Sequence, residues 1–302
     1  MKLVNLIRSS RPKQYTKNLI VFSGPLFTFR FNQLDIWIAS LLAFICLCLI
    51  SSAIYLLNDS IDIKSDRKHP QKRFRPIAAG LVTVREALIS AILFAIVSFI
   101  IAFSFNKLLF ICIFSYAIVQ LNYCLKLKNI PILEFFCISS GFILRAVSGG
   151  IASDIQISSW FILSVGFMAL FLAIEKRKAE VLLNQELGVL TKKVLEDYSI
   201  PLLLRFENLV LTGGFISYSL WASGPSFNGS STSLMLFTVP IILLGIFRYQ
   251  LITDPKQVER RKKSGIEITS EKPEDIFLRD KEIKIILFTW LITTIVIGIL
   301  YK

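Results

Sequence analysis

One histidine, His69, is all that 302 residues contain. With a single imidazole, set among cations in an HPQKR run, no Ser–His–Asp relay can be argued. The five cysteines, Cys46, Cys48, Cys112, Cys124 and Cys137, form no CxxC pair and lie in or beside apolar runs. That pattern excludes thiolate metal ribbons and marks them as reduced packing residues. The 14 glycines build no phosphate-cradling loop. There is no short-period repeat and no low-complexity tract. No small-residue cleavage site precedes the first apolar run, so no removable signal peptide is expected.

What is abundant is apolar: 54% of the chain is hydrophobic, and the mean hydropathy is +0.64. Length alone allows two soluble domains, but long uncharged runs argue for one polytopic membrane domain over 1–302. The net charge of +13 would suggest nucleic acid in a soluble protein. Here the cations sit between apolar spans, where orientation and anionic headgroups or substrates explain them better, and no nucleic-acid partner is expected. The 25 phenylalanines read as membrane packing, and some as walls for a lipid chain.

The fold class read from this pattern is all-α, a bundle of about nine transmembrane helices. Residues 1–17 are basic and amphipathic and suit an interfacial helix. The first apolar run, about 18–31, is short and holds Gly24 and Pro25, which predicts a broken or tilted span. Further spans are expected at about 36–57, 84–104, 108–124, 131–150, 157–174, 208–223, 234–249 and 282–300. Thr83 to Glu86 reads as a capping box opening the third. The polar segments 175–207 and 249–281 are expected outside the bilayer, the former as surface helices. Regions 1–17, 58–82, 125–130, 175–207 and 249–281 carry 27 of the 34 Lys and Arg. The positive-inside bias assigns them to the cytoplasm, with the N-terminus inside and the C-terminus outside an inner (cytoplasmic) membrane.

The chain is organised around Tyr55–Gly80, YLLNDSIDIKSDRKHPQKRFRPIAAG. Asn58, Asp62 and Asp66 are four apart, which places them on one helical face, with Asp59 beside them. Carboxylates so close repel unless a cation holds them. A hard ion such as Mg²⁺ takes oxygen ligands and completes its shell with water and substrate phosphate. Asn58, Asp62 and Asp66 are thus the candidate metal and catalytic set, and the Lys and Arg from Lys64 to Arg75 suit phosphate. A solvated loop that only sets topology is the bland alternative. Elsewhere, Lys126 and Lys128 end the fourth span as a phosphate clamp or as ordinary anchors. Glu134 opens the fifth span, where a carboxylate should meet a polar cavity or a cation. Lys176 and Glu180 share a face beside Arg177. Arg145, late in the fifth span, could snorkel, pair with Asp154, or line a deep cavity if the helix breaks at Gly141. It stays outside the expected site. His69 suits a structural or phosphate-contacting role better than a general base, because a phosphate monoester is already anionic near neutral pH.

The motif NxxxDxxxD, with its extension through DRxHPxKRxRPIAxG, resembles the UbiA-like prenyltransferase superfamily, and in its long form the decaprenyl-phosphate phosphoribosyltransferase branch. RPKQYTKN at Arg11–Asn18, GFILRAVSGG at Gly141–Gly150, EKRKAE at Glu175–Glu180 and PEDIFLRD at Pro273–Asp280 are similar to that branch too. The resemblance implies a membrane glycosyltransferase that moves 5-phosphoribosyl from phosphoribosyl pyrophosphate to a polyprenyl phosphate and releases pyrophosphate with Mg²⁺ as cofactor. Lys17, Arg73 and Arg75 would hold the 5-phosphate. Asp59, Lys126, Glu134, Lys176, Arg177 and Glu180 would complete the substrate site. The branch usually carries Asp where Glu134 stands. Aromatic prenyltransferases of the superfamily carry a second aspartate-rich motif where this chain has basic EKRKAE, which suits a lipid monophosphate. Two alternatives remain: isoprenyl transfer from its diphosphate to an aromatic or other acceptor, and a non-enzymatic transporter or lipid-binding protein. Oligomeric state is not legible.

Overall fold

The computed structural model describes residues 2–68, 72–187, 193–254, 256–257, 260, 276 and 279–301. Among them every regular element is helical. The chain forms two compact units: residues 1–25 with 30–157, and residues 26–29 with 158–302. Among the described residues, eight helices are long and apolar enough to cross a membrane.

In the first unit, α1 (Lys2–Ser9) leads through Arg11 into a 3₁₀ helix over Pro12–Phe22 and the short α2 (Ser23–Phe27). The expected first span is therefore not one α-helix. Pro25 has no N–H to give the Val21 carbonyl four residues before it, so an α-helix cannot run through. Side chains of this segment instead descend along α3 (Leu34–Ile61). Tyr15 Oη lies 2.8 Å from Ser52 Oγ, Asn18 donates to Cys48 Sγ, and Phe22 packs on Phe44 and Trp37. Eleven 3₁₀ residues rise about 22 Å, much of the bilayer's apolar thickness of about 30 Å. The ninth expected span falls on this 3₁₀ segment and α2 rather than on a long α-helix.

Small residues allow this approach, as membrane packing requires. A Cβ on Gly149 would lie 2.1 Å from the Val21 carbonyl oxygen. The helices α5 (Val84–Phe105), α6 (Lys107–Leu125) and α7 (Leu133–Ser153) complete the unit. Helix α5 buries only Ala87, Ala91, Ser98 and Ala102, a stripe at helical spacing. Its capping box is present, Thr83 and Glu86 bonding reciprocally. Val21, Leu47, Ile50, Leu109, Ile113 and Tyr116 form the core. All five cysteines are free and buried.

The second unit holds α8 (Ser159–Leu187), α9 (Ile200–Ala222), a 3₁₀ turn over Ser233–Thr238 running into α10 (Val239–Thr253), and α11 (Lys281–Tyr301). Trp290 Nε1 donates to Tyr218 Oη, which also contacts Thr238 Oγ1. The 175–207 segment departs from expectation. It is the end of α8, a 3₁₀ turn at Lys193–Asp197 and the start of α9, with Glu175, Lys178 and Glu207 buried. Their mutual neutralisation removes the need for solvent that the bare charge pattern implied.

Candidate active site

Helix α3 stops at Ile61. Asp62 caps it at φ −84°, ψ 5°, and α4 (Ile63–Lys68) resumes at once, with Asp66 N donating to the Asp62 carbonyl at 2.8 Å. This interruption splits the acidic face in two. Asp59 and Asp66, 2% and 3% exposed, share Arg75, whose Nη1 lies 3.0 Å from Asp59 Oδ1 and 2.7 Å from Asp66 Oδ2. Asp62 and Asn58 share Lys128 instead, whose Nζ is 2.8 Å from both Asp62 oxygens and 3.3 Å from Asn58 Oδ1. Arg11 Nη2 reaches Asp59 Oδ1 at 2.5 Å, with its guanidinium over the Tyr55 ring.

Each cation arrives on a purpose-built turn. Arg75 follows a 3₁₀ turn at Lys72–Phe74, and Gly80 at φ 78° closes the loop where an L side chain would be strained. Arg67 Nε ties α4 to this loop through the Ala78 carbonyl. Lys128 sits in the 3₁₀ turn Leu127–Asn129 after α6. Arg11 itself is left-handed, φ 53°, ψ 60°, a backbone that costs a non-glycine residue about 1–2 kcal/mol.

Three carboxylates thus face three cations, a neutral knot. Among the described residues no three acidic, cysteine or histidine side chains converge as a metal site. The hard oxygens of Asp59, Asp62, Asp66 and Asn58 nevertheless fit a magnesium–diphosphate. Its phosphates would attract the cations and release the carboxylates toward the metal.

The family model described as "UbiA prenyltransferase family" matches residues 19–270. The chain belongs to that family. It is 36% identical over 297 residues to a protein named decaprenyl-phosphate phosphoribosyltransferase of Mycolicibacterium smegmatis, covering 95% of this chain and 90% of that one. It is likewise 36% identical to a Corynebacterium glutamicum protein of the same name, over 94% of this chain and 84% of that one. A solved structure described as a UbiA homolog from Archaeoglobus fulgidus bound to DMAPP and Mg²⁺ superposes with a TM-score of 0.70. It shares 16% identity and covers 97% of this chain and 99% of that one, a likeness of fold.

Other expected residues of this UbiA-family chain scatter more widely. Lys128 meets the acids, whereas Lys126, the cap of α6, is exposed. Arg73 is exposed and stacks on Phe74. Lys17 is half-buried on the 3₁₀ segment. Glu134 is fully buried in the first turn of α7, where the helix dipole favours a carboxylate. In the second unit the EKRKAE stretch is not an open basic patch. Arg177 pairs with Glu180, and Lys178 with Glu175 and, at 2.6 Å, with Glu207. Lys176 is exposed. Burial forces this pairing, because an uncompensated charge there would cost several kcal/mol, about 3–5. His69 and Pro273–Glu274, with most of the PEDIFLRD stretch, lie outside the described residues. Arg11 was missed as a site residue. Its RPKQYTKN stretch was the available signal, but nothing local pairs positions 48 residues apart. Arg145 was expected to snorkel, to pair with Asp154, or to line a deep cavity if the helix breaks at Gly141. Helix α7 runs unbroken through Gly141, and Arg145 is buried against Asn18 and Tyr116.

Proposed function

We propose that this chain transfers a 5-phosphoribosyl group from phosphoribosyl pyrophosphate to a polyprenyl phosphate. The observation that carries the reading is the charge-balanced knot, Asp59, Asp62 and Asp66 against Arg11, Arg75 and Lys128. The identity to two proteins named for that reaction, along nearly the whole chain, supports it.

The residues act by charge exchange. Arg11, Arg75 and Lys128 turn to the donor's pyrophosphate, and Asp62, Asp66 and Asn58, with Asp59 adjacent, would hold Mg²⁺. The metal supplies neutralisation of the leaving group. Asp59 and Asp66 are buried and both bond Arg75, so they hold it in place until the donor arrives. As pyrophosphate leaves, positive charge grows at the anomeric carbon and the acceptor phosphate attacks from the opposite face. That acceptor is already anionic and needs no base. Lys126, Lys17 and Arg73 supply further cations on the same unit, and Glu134 limits their excess charge. Lys176, Arg177 and Glu180 belong to the acceptor's end of the reading.

The positive-inside bias of the basic segments supports a reading with the knot, the N-terminus and the Lys128 turn on the cytoplasmic side of the inner membrane. Washed membranes supplied with ribose-labelled phosphoribosyl pyrophosphate and, separately, labelled isoprenyl diphosphate provide the test. Ribose label enters the lipid fraction, and removing Mg²⁺ with EDTA stops it. Isoprenyl label on a small acceptor, with no ribose in lipid, overturns the reading.

A further inference from the structure

Arg145 is 6% exposed, in the middle of a membrane helix, and no carboxylate among the described residues pairs with it. Its Nε donates to Asn18 Oδ1 and its Nη2 to Tyr116 Oη, both at 2.7 Å. Its carbon Cζ lies 4.9 Å from the Tyr116 ring centre and 5.1 Å from that of Phe142. A guanidinium has five N–H donors. Three of these, both on Nη1 among them, have no protein acceptor within the described residues. The neutral partners aim the group but do not neutralise it, and a charge at membrane depth is costly unless it works.

The glycine at position 141 lets the guanidinium lie close against α7: a Cβ there would stand 3.3 Å from Arg145 Nη1 and 2.7 Å from Gln120 Nε2. Depth follows from helix rise. Asn18, which holds Arg145, touches Cys48, and Cys48 lies eleven residues before Asp59 on α3, about 16 Å. Helix α7 starts at the Lys128 end, and helical side chains lean toward their N-terminus, so the guanidinium points back toward the knot.

We propose that Arg145, aimed by Asn18 and Tyr116, is a second anion subsite below the acidic knot, and that it takes a phosphate monoester. This rests on the phosphoribosyl-transfer reading for its two sources, the 5-phosphate of the donor and the phosphate of the lipid acceptor. The knot handles the metal and the pyrophosphate; Arg145 handles the single phosphate.

The test measures binding to purified full-length protein in detergent from thermal-unfolding midpoints. The probes are ribose 5-phosphate, farnesyl phosphate and magnesium pyrophosphate. Arg145→Gln weakens ribose 5-phosphate or farnesyl phosphate by about 10-fold or more, the scale of a lost charged hydrogen bond, and leaves magnesium pyrophosphate unchanged. Loss of the first assigns the donor, and loss of the second the acceptor. Arg145→Lys recovers part of the loss. If Arg145→Gln does not fold, Tyr116→Phe, which keeps the ring and removes one aiming contact, gives the same selective loss at smaller size. Equal weakening of all three probes, or of none, overturns the proposal. Labelled transfer by the unaltered enzyme tests the reaction separately, so failure of one is not failure of the other.

Discussion

Replacing Lys128 with Met should make the protein bind Mg²⁺ more tightly and its phosphate substrate more weakly. Lys128 Nζ sits 2.8 Å from both oxygens of Asp62 and 3.3 Å from Asn58. It competes with any cation for the same donors. The bare attraction at that distance is about 6 kcal/mol at an effective dielectric of 20. The side chains are 21% and 27% exposed, so solvent screening and desolvation cut the net worth to about 1–2 kcal/mol, between exposed and buried pairs. That corresponds to about a 5- to 30-fold change in an equilibrium constant. With donor and lipid saturating, the half-saturating Mg²⁺ for Lys128→Met falls by that factor. With Mg²⁺ saturating, the KM for phosphoribosyl pyrophosphate rises by a similar one. A half-saturating Mg²⁺ that stays the same or rises would show that Asp62 does not meet the metal, and the exchange of partners at the knot would be refuted.

Arg75→Leu strands buried Asp66 and leaves Asp59 to Arg11, and costs about 3–5 kcal/mol. Adding Asp66→Asn recovers part of it, read as thermal unfolding without ligand. Gly149→Ala forces the Val21 carbonyl away, since its Cβ would stand 2.1 Å from that oxygen. It destabilises by about 1–3 kcal/mol, whereas Gly141→Ala meets only side-chain ends, Gln120 Nε2 and Arg145 Nη1, and costs less. Lys178→Met leaves Glu175 and Glu207 buried together and lowers the unfolding midpoint strongly. Lys176→Met, at an exposed position, changes stability by no more than about 0.5 kcal/mol.

Local signals were read well from the chain itself. Apolar runs located the long helices to within a few residues at most boundaries, because a helix must satisfy its own backbone in lipid. Thr83 and Glu86 announced their cap because a cap needs only neighbours in sequence. The acidic motif was legible for the same reason. Helical spacing assigned Asn58, Asp62 and Asp66 to one face, but the break at Asp62 sends Asp66 to Arg75 and Asp62 to Lys128. The charge balance of EKRKAE was only partly legible, because one counter-charge, Glu207, lies 29 residues from Lys178 on another helix.

The amino-acid sequence by itself determined the membrane class, the helical content and the stretch where polar chemistry gathers, since periodicity and solvation act over a few residues. Only the tertiary structure decided which cation meets which carboxylate, that Arg11 and Lys128 join the knot, and that Arg145 stands in the interior without an acid among the described residues. Those pairings join residues 48, 66 and 127 positions apart, and the energy of a charge depends on what folding brings beside it.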